Sequence, residues 1–440
     1  MDILIKILQL FMAFTLLVGI HELGHFIMAR VFGIRVEKFY IFFDPWFSLF
    51  KFKRGDTEYG LGWLPLGGYV KIAGMIDESL DTEQMKQPVK EDEFRAKPAW
   101  QRFLVMIAGI VMNVLLAIVI YCGICYTWGD QYFANEDAVY GYTFNDAAHG
   151  LGLEDGDKIL SIDGEPIDDV NEIAMSLLLT ESDRTVCVER DGHEVSFTIP
   201  FQQLIDFRRA EGYADMLMLR TPFRIDSVAS ASALAAGLRP DDEVIAFNGE
   251  KCVEFGDYAR LLAGHKSSDV ALTVARGDST LVLTVPVNAD GKIGVTVARH
   301  NYQLRTREYT FWQSIPAGIR RTGDVIANYW EQLKLIVKPK TQMYEELGGF
   351  LAIGSIFPSA WDWQDFWSKC AFLSIILAVM NILPIPGLDG GHALFTLWEM
   401  TTRRKPSDRF LETAQYIGLA IILVLLVYAN GNDIYRFFIK

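Results

Sequence analysis

Four apolar runs constrain this chain more than any other feature. Residues 103–125 carry one strongly polar side chain, Asn113. A helix needs about 20 largely apolar residues to cross the hydrocarbon layer, so this run spans unaided. Residues 3–20 are apolar apart from Lys6, Gln9 and Thr15, and they span only if the helix continues through His21, Glu22 and His25. Residues 370–384 must reach toward Asp389, and residues 416–429 must borrow from Thr413 onward. The expected fold is an α-helical polytopic membrane protein with four transmembrane helices. A cleaved signal peptide is a poor reading of the first run. Its start is hardly basic, no small-x-small site follows, and it leads into charged helix.

Charge gives the orientation. Residues 30–102 hold 12 Lys/Arg against 11 Asp/Glu, while residues 126–300 hold 14 against 30. Arg403, Arg404, Lys405 and Arg409 precede the last run. Basic connections stay inside the cell, and long translocated segments escape that rule. The acidic middle block is therefore expected outside, and four spans put both termini outside with it. That block argues against nucleic acid as a partner. Five cysteines give an odd count, and Cys122 and Cys125 at the end of an apolar helix read as packing residues rather than a disulfide or metal pair.

Between the first two runs, residues 38–43 and 47–52 alternate like strands, and Gly60, Gly62, Pro65, Gly67 and Gly68 punctuate the next apolar stretch. This reads as a membrane-associated β-hairpin region, with irregular backbone tolerated only beside protein or a watery cavity. An ordinary cytoplasmic hairpin fits the same pattern. Residues 77–97 are charged and read as a mobile surface loop. The middle block contains an internal repeat. The stretch from Gly152 to Gly164 (GLEDGDKILSIDG) aligns with that from Gly237 to Gly249 (GLRPDDEVIAFNG), 85 residues later. Each ends in a D-G or N-G turn that favours a tight hairpin. Helix-like segments follow at 170–179 and 255–263, then strand pairs at 185–189 with 194–199 and 269–275 with 280–285. Residues 310–338 read as an amphipathic helix against the membrane surface, and residues 348–358 as a re-entrant stretch.

The chemical signal is His21-Glu22-Leu23-Gly24-His25. Helix positions i and i+4 share one face, so two imidazoles can grip one zinc, with Glu22 beside them to take a proton from water. Ionisable residues are costly at the end of an apolar helix and are presumed functional there. Catalytic zinc needs a third protein ligand. His149, His193, His265 and His300 lie in the middle block, expected on the other side of the membrane. Asp389 follows a run whose prolines and glycine break the third span, and His392 is its rival as ligand or supporting residue. Asn113, four residues after Gly109, is either a packing notch with an interhelical hydrogen bond or a donor near the metal. Asn381 carries the same two readings.

Together these motifs resemble the site-2 protease family of intramembrane zinc metalloproteases: HExxH in the first span, Gly109-x-x-x-Asn113 in the second, and Asn381-x-x-Pro384-x-Pro386-x-Leu388-Asp389-Gly390 in the third. The middle block resembles two inserted PDZ-like α+β domains, although Ala147-Ala148-His149 precedes the first motif and Asp241 replaces a glycine in the second. The resemblance implies one catalytic Zn2+ held by His21, His25 and Asp389, with Glu22 as the base. Asn113 and Asn381 would assist substrate or transition-state binding, and Gly67, Gly68 and Tyr69 would present the substrate backbone as a strand. It implies single-span membrane substrates already trimmed outside, among them anti-sigma factors and remnant signal peptides, in a bacterial cytoplasmic membrane. Peptide termini would be partners of the PDZ-like domains. The implied layout is a first span over 1–30, a β region over 31–100 and a second span over 101–126. PDZ-like domains follow over 127–214 and 215–300, then a linker with an amphipathic helix over 301–366. The third span lies over 367–400, and a loop with the fourth over 401–440. The competing readings are a catalytically idle membrane chaperone or PDZ adaptor, which would have lost Glu22 or a ligand, and a transporter, which would spread polar residues along several spans.

Overall fold

The computed structural model describes residues 2–64, 67–75, 88–210, 213, 215–252, 254–277, 279–298 and 304–438. Residues 77–87 of the charged loop, Pro65 and His300 fall outside the described residues. The chain divides into two compact units, one made of Met1–Asp130 with Arg307–Lys440 and the other of Gln131–Thr306.

The first unit is the membrane unit. Its long helices are α1 (Asp2–Val31), α2 (Ala99–Trp128), α3 (Phe311–Val337), α5 (Trp363–Ile382), α6 (Asp389–Thr402) and α7 (Asp408–Phe438), with a short α4 (Phe350–Ser355) before α5. Four of them, α1, α2, α5 and α7, are long and apolar enough to cross a membrane. This protein is therefore a polytopic helical membrane protein. The first span does run on through the HExxH residues, which extends a marginal 18-residue run to a full crossing. The second helix is the hub, packing against α1, α3, α5 and α6. Buried Leu17, Ala117, Tyr121, Ile124, Cys370, Ala371 and Ile375 form one core of this bundle. Cys122 and Cys125 are free, as their packing reading requires. The third span ends at Ile382, where Pro384 and Pro386 lack amide hydrogens and cannot continue the ladder. The chain turns through Leu388 and restarts as α6 with Asp389 in its first turn. Asp433 and Asn430 of α7 accept hydrogen bonds from the amides of Phe350, Leu351 and Ala352, capping α4.

Strands β1 (Val36–Ile41), β2 (Phe50–Arg54), β3 (Thr57–Leu61) and β4 (Tyr69–Ile72) form one mixed sheet in the order β2-β3-β1-β4. β1 runs parallel to β3 and antiparallel to β4, with Tyr40 opposite Tyr69. The second strand begins at Phe50, three residues later than its alternation suggests. Phe42 and Trp46 both adopt positive φ and turn the chain away from the sheet.

The second unit is a large β-rich region built from the repeat. Its strands are β5 (Tyr142–Phe144), β6 (Lys158–Ile162), β7 (Glu165–Pro166), β8 (Arg184–Arg190), β9 (His193–Ile199) and β10 (Leu217–Leu219). Their counterparts are β11 (Phe223–Val228), β12 (Glu243–Phe247), β13 (Glu250–Lys251), β14 (Asp269–Arg276), β15 (Ser279–Pro286) and β16 (Val295–Val297). The first copy orders as β9-β8-β6-β7 with β5 on β10, and the second as β15-β14-β12-β11-β16 with β13 on β12. Asp163-Gly164 and Asn248-Gly249 both take positive φ at both positions, which a two-residue hairpin turn requires. Each copy has its own apolar core, around Ile159, Val186 and Val188 in one and Val244, Leu272 and Val274 in the other.

The same polar device recurs in both. Asp157 takes Arg190 through Nε and Nη2 at 2.7 Å each, and Asp242 takes Arg276 at 2.6 and 2.7 Å. Both carboxylates are fully buried. Burial alone would raise the Asp242 carboxyl, but Arg276 and the Arg239 amide hold it below the usual carboxylate range. Its stabilisation is therefore present near neutrality and fades as pH falls through that lowered value. Asp242→Ala removes the buried acceptor of Arg276 and of the Arg239 amide and is expected to destabilise the second repeat by about 1–3 kcal/mol. Limited proteolysis of the full-length protein should then cut between β11 and β15 while the first repeat stays intact.

Candidate metal centre and active site

The site is built from three helices and one strand edge of the membrane unit. On α1, one helical turn separates His21 from His25 and stacks their rings edge-on with centroids 4.9 Å apart. Both are buried between α1 and α2. Asp389 reaches them from α6. Its Oδ2 lies 3.0 Å from His21 Nε2 and 3.2 Å from His25 Nε2, and the two Nε2 atoms are 3.3 Å apart. Among the described residues this is the one group of three or more His, Cys, Asp or Glu whose ligand atoms converge so closely.

The donor set fits a zinc ion. A tetrahedral ion with bonds of about 2.0–2.1 Å separates its ligand atoms by about 3.3 Å, close to all three spacings. The Val105 carbonyl lies 2.8 Å from His25 Nδ1 and can only accept, so Nδ1 carries a hydrogen, and in the neutral ring Nε2 faces the cluster with a bare lone pair. Asp389 Oδ2 is buried there with the two Nε2 atoms beside it. Three electron-rich atoms crowded together inside a protein call for a cation.

Backbone closeness makes room for this arrangement. A Cβ on Gly109 of α2 would sit 2.4 Å from His25 Nε2 and 2.7 Å from His21 Cε1. At the strand edge, a Cβ on Gly68 would sit 2.7 Å from both the Tyr40 carbonyl and Val18 Cγ1. Glycine lets β4 lie along α1, which brings the Val70 backbone amide beside the Glu22 carboxylate.

A cavity of about 760 Å³ opens onto this constellation. His21, Glu22, His25, Asp389, Asn381, Gly67, Gly68 and Tyr69 all line it. His392 lines it too, but it stands outside the three-atom cluster, so the structure brings Asp389 and not His392 to the histidines. Asn113 stands near the cluster. It is fully buried behind His21, 3.2 Å from Nδ1, and does not line the cavity. His149, His193 and His265 belong to the other unit. Several lining residues escaped sequence reasoning. Lys38 sits over the Tyr40 and Tyr69 rings, and Asp44 accepts the Tyr69 hydroxyl at 2.9 Å. Gln415 of α7 also lines the cavity, and a polar residue ahead of an apolar run was the signal available for it.

Two imidazoles, a carboxylate and an adjacent glutamate, set among membrane-spanning helices, define a zinc hydrolase that works within the membrane. The chain belongs to peptidase family M50, whose sequence profile matches residues 9–425. It is similar to the "Regulator of sigma E protease" of Haemophilus influenzae, 29% identical over 456 residues that cover 96% of this chain and 97% of the relative. A "Putative zinc metalloprotease" of Vibrio cholerae is 29% identical over 99% of both chains, and one of Clostridium perfringens 28% identical over 96% of both. Membership of this family, with the His-His-Asp cluster, makes the protein a zinc-dependent intramembrane endopeptidase with one catalytic ion, a multi-pass protein of the bacterial cytoplasmic membrane.

Proposed function

We propose that His21, His25 and Asp389 hold the zinc, that Glu22 is the general base, and that the substrate is a transmembrane segment bound as an extended strand along β4. The observation that carries this reading is the shared cavity. The three donor atoms, the Glu22 carboxylate and the edge of a β-sheet all face one space. Zinc, when bound, supplies Lewis acidity, acidifying water and polarising a carbonyl.

The residues of the chain supply the rest. Glu22 accepts the proton from water as its oxygen attacks the scissile carbonyl carbon. The same carboxyl then hands a proton to the amide nitrogen as the C–N bond breaks. β4 is an edge strand, so its outer edge can pair with an extended substrate and hold the scissile bond beside Glu22. Gly67, Gly68 and Tyr69 shape that edge, and the Asn381 amide offers a hydrogen bond to the substrate backbone. A helical peptide bond is shielded by its own turn, so unwinding favours transmembrane segments rich in weak helix formers.

The repeats of the second unit act as PDZ-like domains, with boundaries near 127–214 and 215–300. They accept peptide termini or screen substrates by size. Anti-sigma factors and remnant signal peptides, trimmed beforehand outside, are the proposed substrate class. Both termini and the repeats lie on the extracytoplasmic face. The test uses a tagged single-span substrate in liposomes, offered intact and with its external domain removed. The zinc-loaded protein should cut the trimmed form at least ten-fold faster. Equal cutting of both would remove the size screen, and failure to cut either at high enzyme concentration would favour the adaptor reading.

A further inference from the structure

We infer that Asn113 is a positioning residue whose carboxamide oxygen accepts a hydrogen bond from His21 Nδ1, fixing the tautomer and ring orientation of a zinc ligand. It does not touch substrate. The inference rests on His21 being a ligand, as proposed above.

Asn113 lies on α2 with no exposed surface, and its backbone carbonyl is tied to α5 by the Ser374 hydroxyl at 2.8 Å. Its carboxamide meets His21 Nδ1 at 3.2 Å, and nothing pairs with its other end. The two ends of a carboxamide are nearly the same size, so packing does not choose which faces the ring. One end stays without a protein partner either way, so hydrogen-bond satisfaction does not choose either. Ligation does. An amide N–H donated to Nδ1 would leave the neutral ring's hydrogen on Nε2, aimed at Asp389 and at His25 Nε2. That hydrogen would occupy the lone pair a metal needs. The oxygen facing Nδ1–H leaves Nε2 bare.

His25 is served in the same way, because the Val105 carbonyl can only accept. Both imidazoles are thereby oriented from α2, eight residues apart on the helix: one by a backbone oxygen, the other by a side-chain oxygen. The side-chain device is needed at His21 because helical carbonyls of α2 are committed to their own ladder except where a second donor can reach them.

The test separates an acceptor from a donor. In full-length protein in detergent, zinc affinity is measured by chelator competition for wild type, Asn113→Asp and Asn113→Leu, and each is also loaded with cobalt for its absorption spectrum. Aspartate keeps the acceptor and loses the donor, while leucine keeps the shape and loses both. Asn113→Leu is expected to weaken zinc about 10–100-fold and to alter the cobalt bands. Asn113→Asp should keep affinity within about three-fold and keep the bands. Loss of zinc by Asn113→Asp to the same degree would overturn the inference, as would unchanged affinity in Asn113→Leu. Should either variant fail to fold, the nitrogen resonances of His21 and Asn113 in zinc-loaded wild type decide. A His21 Nδ1 hydrogen bonded to the Asn113 carboxamide oxygen supports the assignment, and an Nδ1 without a hydrogen, facing the Asn113 amide, overturns it. His21→Ala run alongside distinguishes the parent reading, since retained zinc there would sink His21 as a ligand whatever Asn113 does.

Discussion

Glu22→Gln is expected to keep zinc and lose cleavage. The substitution removes the basic carboxylate and leaves a neutral isostere in the same place, facing the same cavity. The three donor atoms are untouched, so zinc content measured by metal analysis should match wild type. General acid–base catalysis contributes about 10²–10⁴-fold, and one carboxylate serving both proton transfers places the loss at the upper end. A single-turnover assay with trimmed substrate in liposomes would read it. Cleavage surviving at more than about a tenth of the wild-type rate would show that another group takes the proton. Asp389 is committed to the histidines, so Lys38 and Asp44, which also line the cavity, would be the next candidates. Lost zinc would instead show that Glu22 belongs to the ligand set.

The geometry explains why that one carboxylate can act alone. Glu22 follows His21 directly, so it points about 100° around the helix from the ligand face, toward β4 rather than toward α2. Metal ligands on one face and the base on the next is what adjacent positions on α1 impose. β4 then closes the far side with a backbone amide at the carboxylate. The substrate strand, the base and the donor cluster converge because a helix, a sheet edge and a broken span each contribute one of them.

How much of this could be read beforehand depended on whether a residue's chemistry or its neighbours decided its place. The continuation of α1 through His25 was legible because the apolar run was too short to span without it. The break after Ile382 was legible because proline removes an amide hydrogen wherever it sits. The repeat was legible down to its D-G and N-G turns, and the helices and strand pairs after each motif fall close to their expected residues. The third donor is legible as Asp389 from the broken span and from the family resemblance, with His392 left beside it as a rival. Asp389 and His392 lie three residues apart on α6, hence on neighbouring positions of one face, and the direction in which α6 leaves the break favours the aspartate. The Val105 carbonyl could not be foreseen, since a backbone oxygen has no letter. β2 was misplaced because aromatic residues alternate on both sides of the 47–54 stretch. Phe42 and Trp46 take positive φ just before it, and Phe42 is buried. Asn113 is legible as a polar, inward-facing side chain near the metal, and its partner is the His21 ring.

Gly109→Ala should abolish the metal site without touching any ligand. The added Cβ would fall 2.4 Å from His25 Nε2 and within 2.9 Å of His21 Nδ1, distances that real Cβ contacts do not reach. The flexible end of a lysine could move aside, but these rings cannot. His25 is fixed by Val105 and His21 by Asn113, both from the helix that carries Gly109. Either α1 and α2 separate or both rings rotate, and each outcome misplaces two of the three donors. Zinc affinity is expected to fall by at least about 100-fold, with cleavage lost in proportion. Backbone helicity should be almost unchanged, because alanine favours a helix over glycine by about 1 kcal/mol. Chelator competition and circular dichroism on the same sample would separate the two. A variant that binds zinc normally would mean that the helices can part by an ångström at no cost to the site. The close α1–α2 contact would then be a feature of packing rather than of the metal centre.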